Sequence, residues 1–279
     1  MSPDLWQTDE LDLDAYLARI GVAGSLPPDD TTLARLHEAH ASTIPFENLD
    51  VVLGHGVSLH LPDIVAKLVA RRRGGYCFEH MLLFTAALER LGFTVARLLA
   101  RVFPDAEDQR AAIRTHMTAV VYTESGAWLS DVGFGASTLA PIRLAEGAIL
   151  HQAGASYRID RSGSLWTLST QRDDAPSSAL HAFTLEPQRP SDYEVANHYT
   201  ATHPNSPFVE RPVVIRPTPV GQHRLHDDRL TLAGPEGPAP PRRIDRCALP
   251  GVLREVFGIV LSEDDIDRLR QLPVFEESS

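Results

Sequence analysis

Cysteine is scarce in this chain and lysine nearly absent: Cys77 and Cys247 are its two cysteines and Lys67 its single lysine. Two cysteines make no disulfide framework, and a reducing compartment would keep both as thiols. No apolar run approaches the roughly 20 residues that span a bilayer, so no membrane partner is expected. The opening stretch "MSPDLWQTDELDLDAYLARIG" lacks the basic and apolar regions of a secretory signal, which points to a cytoplasmic location. There is no excess of positive charge. The formal net charge of -11 argues against nucleic acid or an anionic membrane as the main partner. An anionic ligand must therefore be held by a local basic patch or by backbone N–H groups. There is no internal repeat. What is present is an ordinary globular composition, 43% hydrophobic and 23% charged, in a 279-residue chain long enough for one or two domains.

The first ninety or so residues carry helical spacing. Leu13, Leu17 and Ile20 recur on one face before Gly21, and Leu33, Leu36 and His40 do so after the capping candidates Asp30 and Thr31. Pro45 blocks continuation. A third helix is expected over Pro62 to Val69, with Asp63 in its first turn, and a fourth from about Cys77 to Leu91, ending at Gly92. The period then changes. "FTVARLLARVF", "THMTAVVYT" and "AWLSDVGFG" predict mostly antiparallel strands from 93 to about 200, with more around Tyr157 to Ile159, Leu165 to Thr170 and Phe183 to Leu185. The last eighty residues are mixed: strands in "PVVIRPT" and "RLTLAG", a surface loop in "GPEGPAPPRRID", and two short helices, the second capped by Ser262.

The stretch "RRRGGYCFEHMLLF" places Cys77 at a helix start, where unpaired N–H groups and the helix dipole favour the thiolate. Arg71, Arg72 and Arg73 add positive potential, and Gly74 and Gly75 allow a tight turn and close approach of a ligand. A buried, inert cysteine is the competing reading, and a partner base decides between them. His116 begins the apolar strand "THMTAVVY", and Asp131 sits in the strand-like run that follows. A two-residue loop at Glu124 and Ser125 sets Thr118 opposite Asp131 and brings Asp131 diagonally across from His116 on one face; a three-residue loop would separate them. In such a triad His116 takes the thiol proton and Asp131 orients the ring. A cysteine hydrolase, a transglutaminase-like enzyme or an acyltransferase would all fit.

"RRRGGYCFEH", "RTHMTAVV" and "WLSDVGFG" resemble the three motif segments of the arylamine N-acetyltransferases, and "YLARIG", "LHEAHASTIPFENLD", "LGF" and "NHYTATHPNSPF" extend the likeness over about residues 13 to 210. The resemblance implies an α+β fold: an N-terminal helical bundle (1–92) carrying the nucleophile, a central antiparallel β-barrel (93–200) carrying His and Asp, and a C-terminal α/β lid (201–279). The triad would lie between the first two. It implies Cys77 as acetyl acceptor, His116 as general base and acid, and Asp131 as orienter. Acetyl-CoA is the implied cosubstrate, an arylamine or arylhydrazine the acceptor, in ping-pong order and with no metal. By the same likeness Val102, Thr115, Gly133, Phe134 and Phe208 occupy aromatic-pocket positions; core packing is the bland alternative for each. Met81 stands where family members commonly have Asn. The CoA-binding residues and the oligomeric state are left open. Two other readings use the same residues: a macrolactam-forming amide synthase, hinted at by an Ala- and Arg-rich composition, and a non-enzymatic ligand-binding protein.

Overall fold

The structure, a computed structural model, describes residues 4–103, 113–135, 138–172, 175–234 and 237–275. Helix α1 (Leu13–Ile20) begins where the Asp12 carboxylate accepts the Ala15 N–H and stops at Gly21, whose φ of 71° suits glycine. Helix α2 (Asp30–Thr43) is capped by Asp29, not by Asp30 or Thr31: the Asp29 carboxylate accepts the Thr32 N–H at 2.8 Å. Asp30 is thereby free to accept the Thr123 hydroxyl and the Trp128 indole N–H from the strand region. A short strand β1 (Phe46–Glu47) and helix α3 (Leu49–Val52) follow. Helix α4 (Leu61–Ile64) runs on into a π-helical turn, Val65–Ala70. Helix α5 (Cys77–Arg90) is buried from Cys77 to Leu88, which makes it the centre of the helical core. Leu33, Leu68, Phe78, Leu83, Phe84 and Leu88 pack there, each contributing roughly 1.5–3 kcal/mol by leaving water.

Eight strands form the second layer: β2 (Thr94–Val102), β3 (Arg114–Thr123), β4 (Gly126–Leu129), β5 (Ile142–Arg143), β6 (Ile149–Gln152), β7 (Ala155–Ser162), β8 (Leu165–Arg172) and β9 (Ser178–Phe183). They pair antiparallel in the order β5-β4-β3-β2-β9-β8-β7-β6, a nearly closed barrel whose end strands β5 and β6 meet. Alternation along the strands decides which core each residue joins. Leu98, Ala100 and Val120 fill the barrel, whereas Leu99, Met117, Ala119 and Val121 pack on the helices. Thr123 pairs with Gly126 and Val120 with Leu129, the register of a two-residue loop.

Four sequence expectations need correction. The strand placed at Phe183 to Leu185 ends at Phe183, and the one read through "WLSDVGFG" ends at Leu129, leaving Asp131 just beyond it. Residues assigned to the strand region instead form helix α6 (Pro190–Thr202), because Tyr193 and Ala196 bury against the helical core. In the C-terminal part, β10 (Val213–Thr218), β11 (Gly221–His226), β12 (Arg229–Thr231) and β13 (Arg242–Arg243) form a sheet in which β1 pairs with β10. Thus the loop read in "GPEGPAPPRRID" contains a two-residue strand, while its residues 235–236 lie outside the described residues. Helices α7 (Leu249–Phe257) and α8 (Glu263–Arg270) close the unit, and Ser262 does cap α8 by accepting the Asp265 N–H. Among the described residues no helix is long and apolar enough to cross a membrane.

Candidate active site

Cys77 is the first residue of α5, and the preceding turn is held by contacts that leave no room for side chains. A Cβ on Gly74 would lie 2.0 Å from the Pro45 carbonyl oxygen, and one on Gly75 would lie 2.6 Å from Glu79 Oε2. The two glycines therefore allow this turn to pack closely against Pro45 and Glu79. Glu79 accepts the Tyr76 N–H at 3.0 Å, which satisfies one donor of the helix end. Its other oxygen accepts from Lys67 Nζ at 2.8 Å, and Lys67 also pairs with Asp50 at 2.8 Å. Arg73 is consumed in the same buried network by Glu47 and Asp50, so of the three arginines expected to lend positive potential only Arg71 and Arg72 remain exposed.

The barrel supplies the candidate base. His116 lies on β3 on the barrel-interior side, and the Ser130 N–H bonds the Ala119 carbonyl, extending the hairpin register towards Asp131. His116 Nε2–H donates to Asp131 Oδ2 at 2.6 Å, and Asp131 Oδ1 accepts the Gly133 N–H at 3.1 Å. The thiol of Cys77 lies 3.8 Å from the Thr115 carbonyl and interacts with the His116 ring. Cys77, His116 and Asp131 are 4%, 2% and 6% exposed, so their charges act on one another with little screening by water. Burial alone would lower the proton affinity of His116; the Asp131 carboxylate, with a smaller contribution from Cys77, outweighs it and raises it. Burial would likewise raise Asp131, but the adjacent His116 holds it well below the usual carboxylate range. The hairpin thus carries a buried, hydrogen-bonded His116–Asp131 pair that faces a thiol at a helix N-terminus. That arrangement can generate a thiolate and return the proton to a leaving group.

Gly133 closes the turn against the nucleophile: a Cβ there would come within 2.9 Å of the Cys77 carbonyl oxygen. Met81 is fully buried one turn along α5 and packs beside Gly133. Of the other expected pocket residues, Phe134 meets the His116 ring edge-to-face at 5.0 Å, and Phe208 meets Tyr76 at 6.2 Å and Phe46 at 5.8 Å. Val102, the last residue of β2, stands opposite His181 on the neighbouring strand β9. Two larger hollows lie away from these groups, one of about 560 Å³ among Trp6, Leu82, Tyr193 and Asn197, the other of about 700 Å³ among Arg172, Arg224 and Arg229. Neither is lined by Cys77, His116 or Asp131. Cys247 is exposed and lies between β13 and α7.

Two histidines at the site escaped the sequence analysis. His37 on α2 bonds the Ser130 hydroxyl and the Thr138 carbonyl, each at 2.9 Å, and so braces the residue before Asp131. His181 on β9 is fully buried with Nε2 3.4 Å from Asp131 Oδ2. The criterion that singled out His116, a histidine inside an apolar strand, applies equally to "ALHAF". His116, Asp131 and His181 bring donor atoms within 4.8 Å of one another, a ligand type that divalent transition metals accept, but a metal there would have to part the 2.6 Å His116–Asp131 bond.

Comparison with known proteins shows the family and the fold. The N-acetyltransferase family profile matches residues 30–266. An arylamine N-acetyltransferase of Mycolicibacterium smegmatis is 41% identical over 227 residues, covering 80% of this chain and 82% of that protein. The structure of the arylamine N-acetyltransferase from Mycobacterium abscessus superposes with a TM-score of 0.91 at 38% identity, covering 99% of both chains. That of Mycobacterium marinum in complex with CoA superposes with a TM-score of 0.86 at 31% identity, over 94% of this chain and 99% of the other.

Proposed function

Because the chain belongs to the arylamine N-acetyltransferase family of acyltransferases, we propose that it moves an acetyl group from acetyl-CoA to the nitrogen of an arylamine or arylhydrazine through an acetyl-Cys77 intermediate. The observation that carries the reading is the buried His116–Asp131 pair at 2.6 Å beside a thiol at the start of α5. Asp131 engages Nε2, which leaves Nδ1 of His116 to take the Cys77 proton. The thiolate attacks the acetyl carbonyl; the tetrahedral intermediate collapses, its bond to the CoA sulfur breaks, and His116 protonates the departing thiolate. In the second half the amine nitrogen attacks the thioester, His116 accepts the proton from nitrogen, and Cys77 leaves as thiolate, restoring the starting ion pair. CoA as the carrier is supported by the CoA complex of the Mycobacterium marinum relative.

The acceptor pocket is proposed at Val102, Thr115, Gly133, Phe134 and Phe208, supported by the aromatic faces of Phe134 beside His116 and Phe208 beside Tyr76. The division into units 1–92, 93–200 and 201–279 is proposed on the same footing. Mass spectrometry after incubation with acetyl-CoA tests the central step. One added acetyl group is expected on the wild-type protein and on Cys247→Ala, and none on Cys77→Ser. An adduct on Cys247, or a labelled Cys77→Ser protein, overturns the assignment.

A further inference from the structure

His181 has no part in the acyl-transfer steps above, yet it is fully buried against the group that orients His116. Its ring lies among those of His116, Phe134 and Phe183, with centroids 5.2, 5.1 and 5.9 Å away. Neither ring nitrogen has a conventional hydrogen-bond partner, and a buried N–H is costly to leave unpaired. The carboxylate within its reach is Asp131, 3.4 Å from Nε2, across the edge of a small cavity also lined by Phe134, Thr138 and Tyr157. We propose that His181 is a positioning residue whose Nε2–H is a second donor to Asp131 Oδ2, so that this oxygen is shared between two imidazoles and its pull on the His116 proton is tempered. The inference rests on the acyl-transfer reading of the site and adds to it.

A carboxylate oxygen that serves two donors bonds each less strongly and is a weaker base than one that serves a single donor. This matters because His116 must not only take the Cys77 proton but also return one to the departing CoA sulfur, and a proton held too firmly is given up slowly. Burial disfavours the charged form of His181, so it remains neutral with one N–H to give. The titratable groups around His116 are Cys77 from α5, Asp131 beyond β4 and His181 from β9; His37 of α2 acts on Asp131, and Tyr157 of β7 lines the cavity. Of these, His181 meets the oxygen that His116 uses.

The test compares His181→Phe, which keeps the ring shape without a donor, with His181→Gln, which keeps an N–H. Proton NMR follows the far-downfield resonance of the His116–Asp131 bond and the pH at which the imidazolium loses its proton. In His181→Phe the resonance is expected further downfield and the alkaline loss shifted up by roughly one unit or less. Turnover should fall while KM for the amine holds, and His181→Gln should return each reading towards wild type. An unchanged resonance and titration in folded His181→Phe, or a glutamine variant that behaves like phenylalanine, overturns the proposal. Nitrogen-15 spectra of the wild-type histidines give a reading that needs no variant: a His181 proton on Nδ1 instead of Nε2 overturns it, and a neutral Nε2–H supports it. Formation of the acetyl adduct is read separately, so a missing adduct removes the acyl-transfer reading, whereas an adduct with negative His181 results removes this proposal alone.

Discussion

Replacing Asp131 by Asn keeps the shape of the side chain and takes away its charge. In the native site Oδ1 accepts the Gly133 N–H and Oδ2 accepts His116 Nε2–H. An asparagine oxygen can keep the Gly133 bond, but the amide NH2 then meets the His116 N–H, two donors face to face. The clash is relieved when His116 moves its proton to Nδ1, which turns an N–H rather than a lone pair towards Cys77. Without the carboxylate, only the smaller contribution of Cys77 opposes burial at His116, and the neutral ring is favoured. A thiol that has lost its base is a poorer nucleophile at neutral pH, so iodoacetamide alkylation of Cys77 should slow at pH 7 and recover in alkaline buffer. Turnover should fall further, by about 10² to 10⁴, because in the proposed mechanism the same ring also protonates the leaving group. The stability effect has a definite sign. Asp131, held low, contributes above its unfolded value near 4 and loses that contribution as pH falls; His116, held high, contributes below its unfolded value near 6.5 and loses it as pH rises. The melting-temperature gap between wild type and Asp131→Asn should therefore be widest between about pH 4 and 6.5 and narrow on both sides. A folded variant that alkylates and turns over at the wild-type rate at pH 7 would show that Asp131 is structural and the triad argument wrong.

Gly133→Ala brings a Cβ within 2.9 Å of the Cys77 carbonyl oxygen and 3.1 Å of Met81 Cγ; as backbone cannot yield easily, a loss of about 1–3 kcal/mol and slower acetylation are expected. Gly251→Ala in α7 meets nothing closer than 4.0 Å and should be neutral or slightly stabilising, so equal melting curves for the two variants would refute the steric account. Lys67→Met leaves the buried Glu79 without its cation, and the half-buried Asp50 with Arg73 alone, and should cost about 3–5 kcal/mol in denaturant unfolding at pH 7. Burial favours a protonated Glu79, so that loss should shrink as pH falls; a pH-independent or negligible loss would show that the network does not support the turn before Cys77.

What could be read from the sequence, and what could not, follows from how far apart the interacting residues lie along the chain. The helix start at Cys77 and the two-residue hairpin loop are local, so the placement of Cys77, and of Asp131 near His116, was legible from a few neighbouring residues. Even locally, one position can mislead: Asp29 and Asp30 are equally good caps by type, and only the backbone direction at the start of α2 assigns the cap to Asp29 and sends Asp30 to Trp128. The arginine run looked like free positive charge because the carboxylates that neutralise Arg73, Glu47 and Asp50, lie more than twenty residues earlier, on β1 and α3. Helix α6 went unseen since its sequence, with Thr200 and Thr202 in the last turn, has little helical pattern of its own; packing of Tyr193 and Ala196 on the helical core outweighs the weak propensity. His181 is another such case. It reaches Asp131 only because β9 pairs with β2 as the barrel closes, bringing it opposite Val102, a contact between residues about eighty positions apart. The groups proposed to move protons therefore sit on local motifs, while those that steady them, His37, Lys67 and His181, arrive from separate elements. A substitution on β9 or α2 can then alter the chemistry at Cys77 without touching the three motif segments that mark the family.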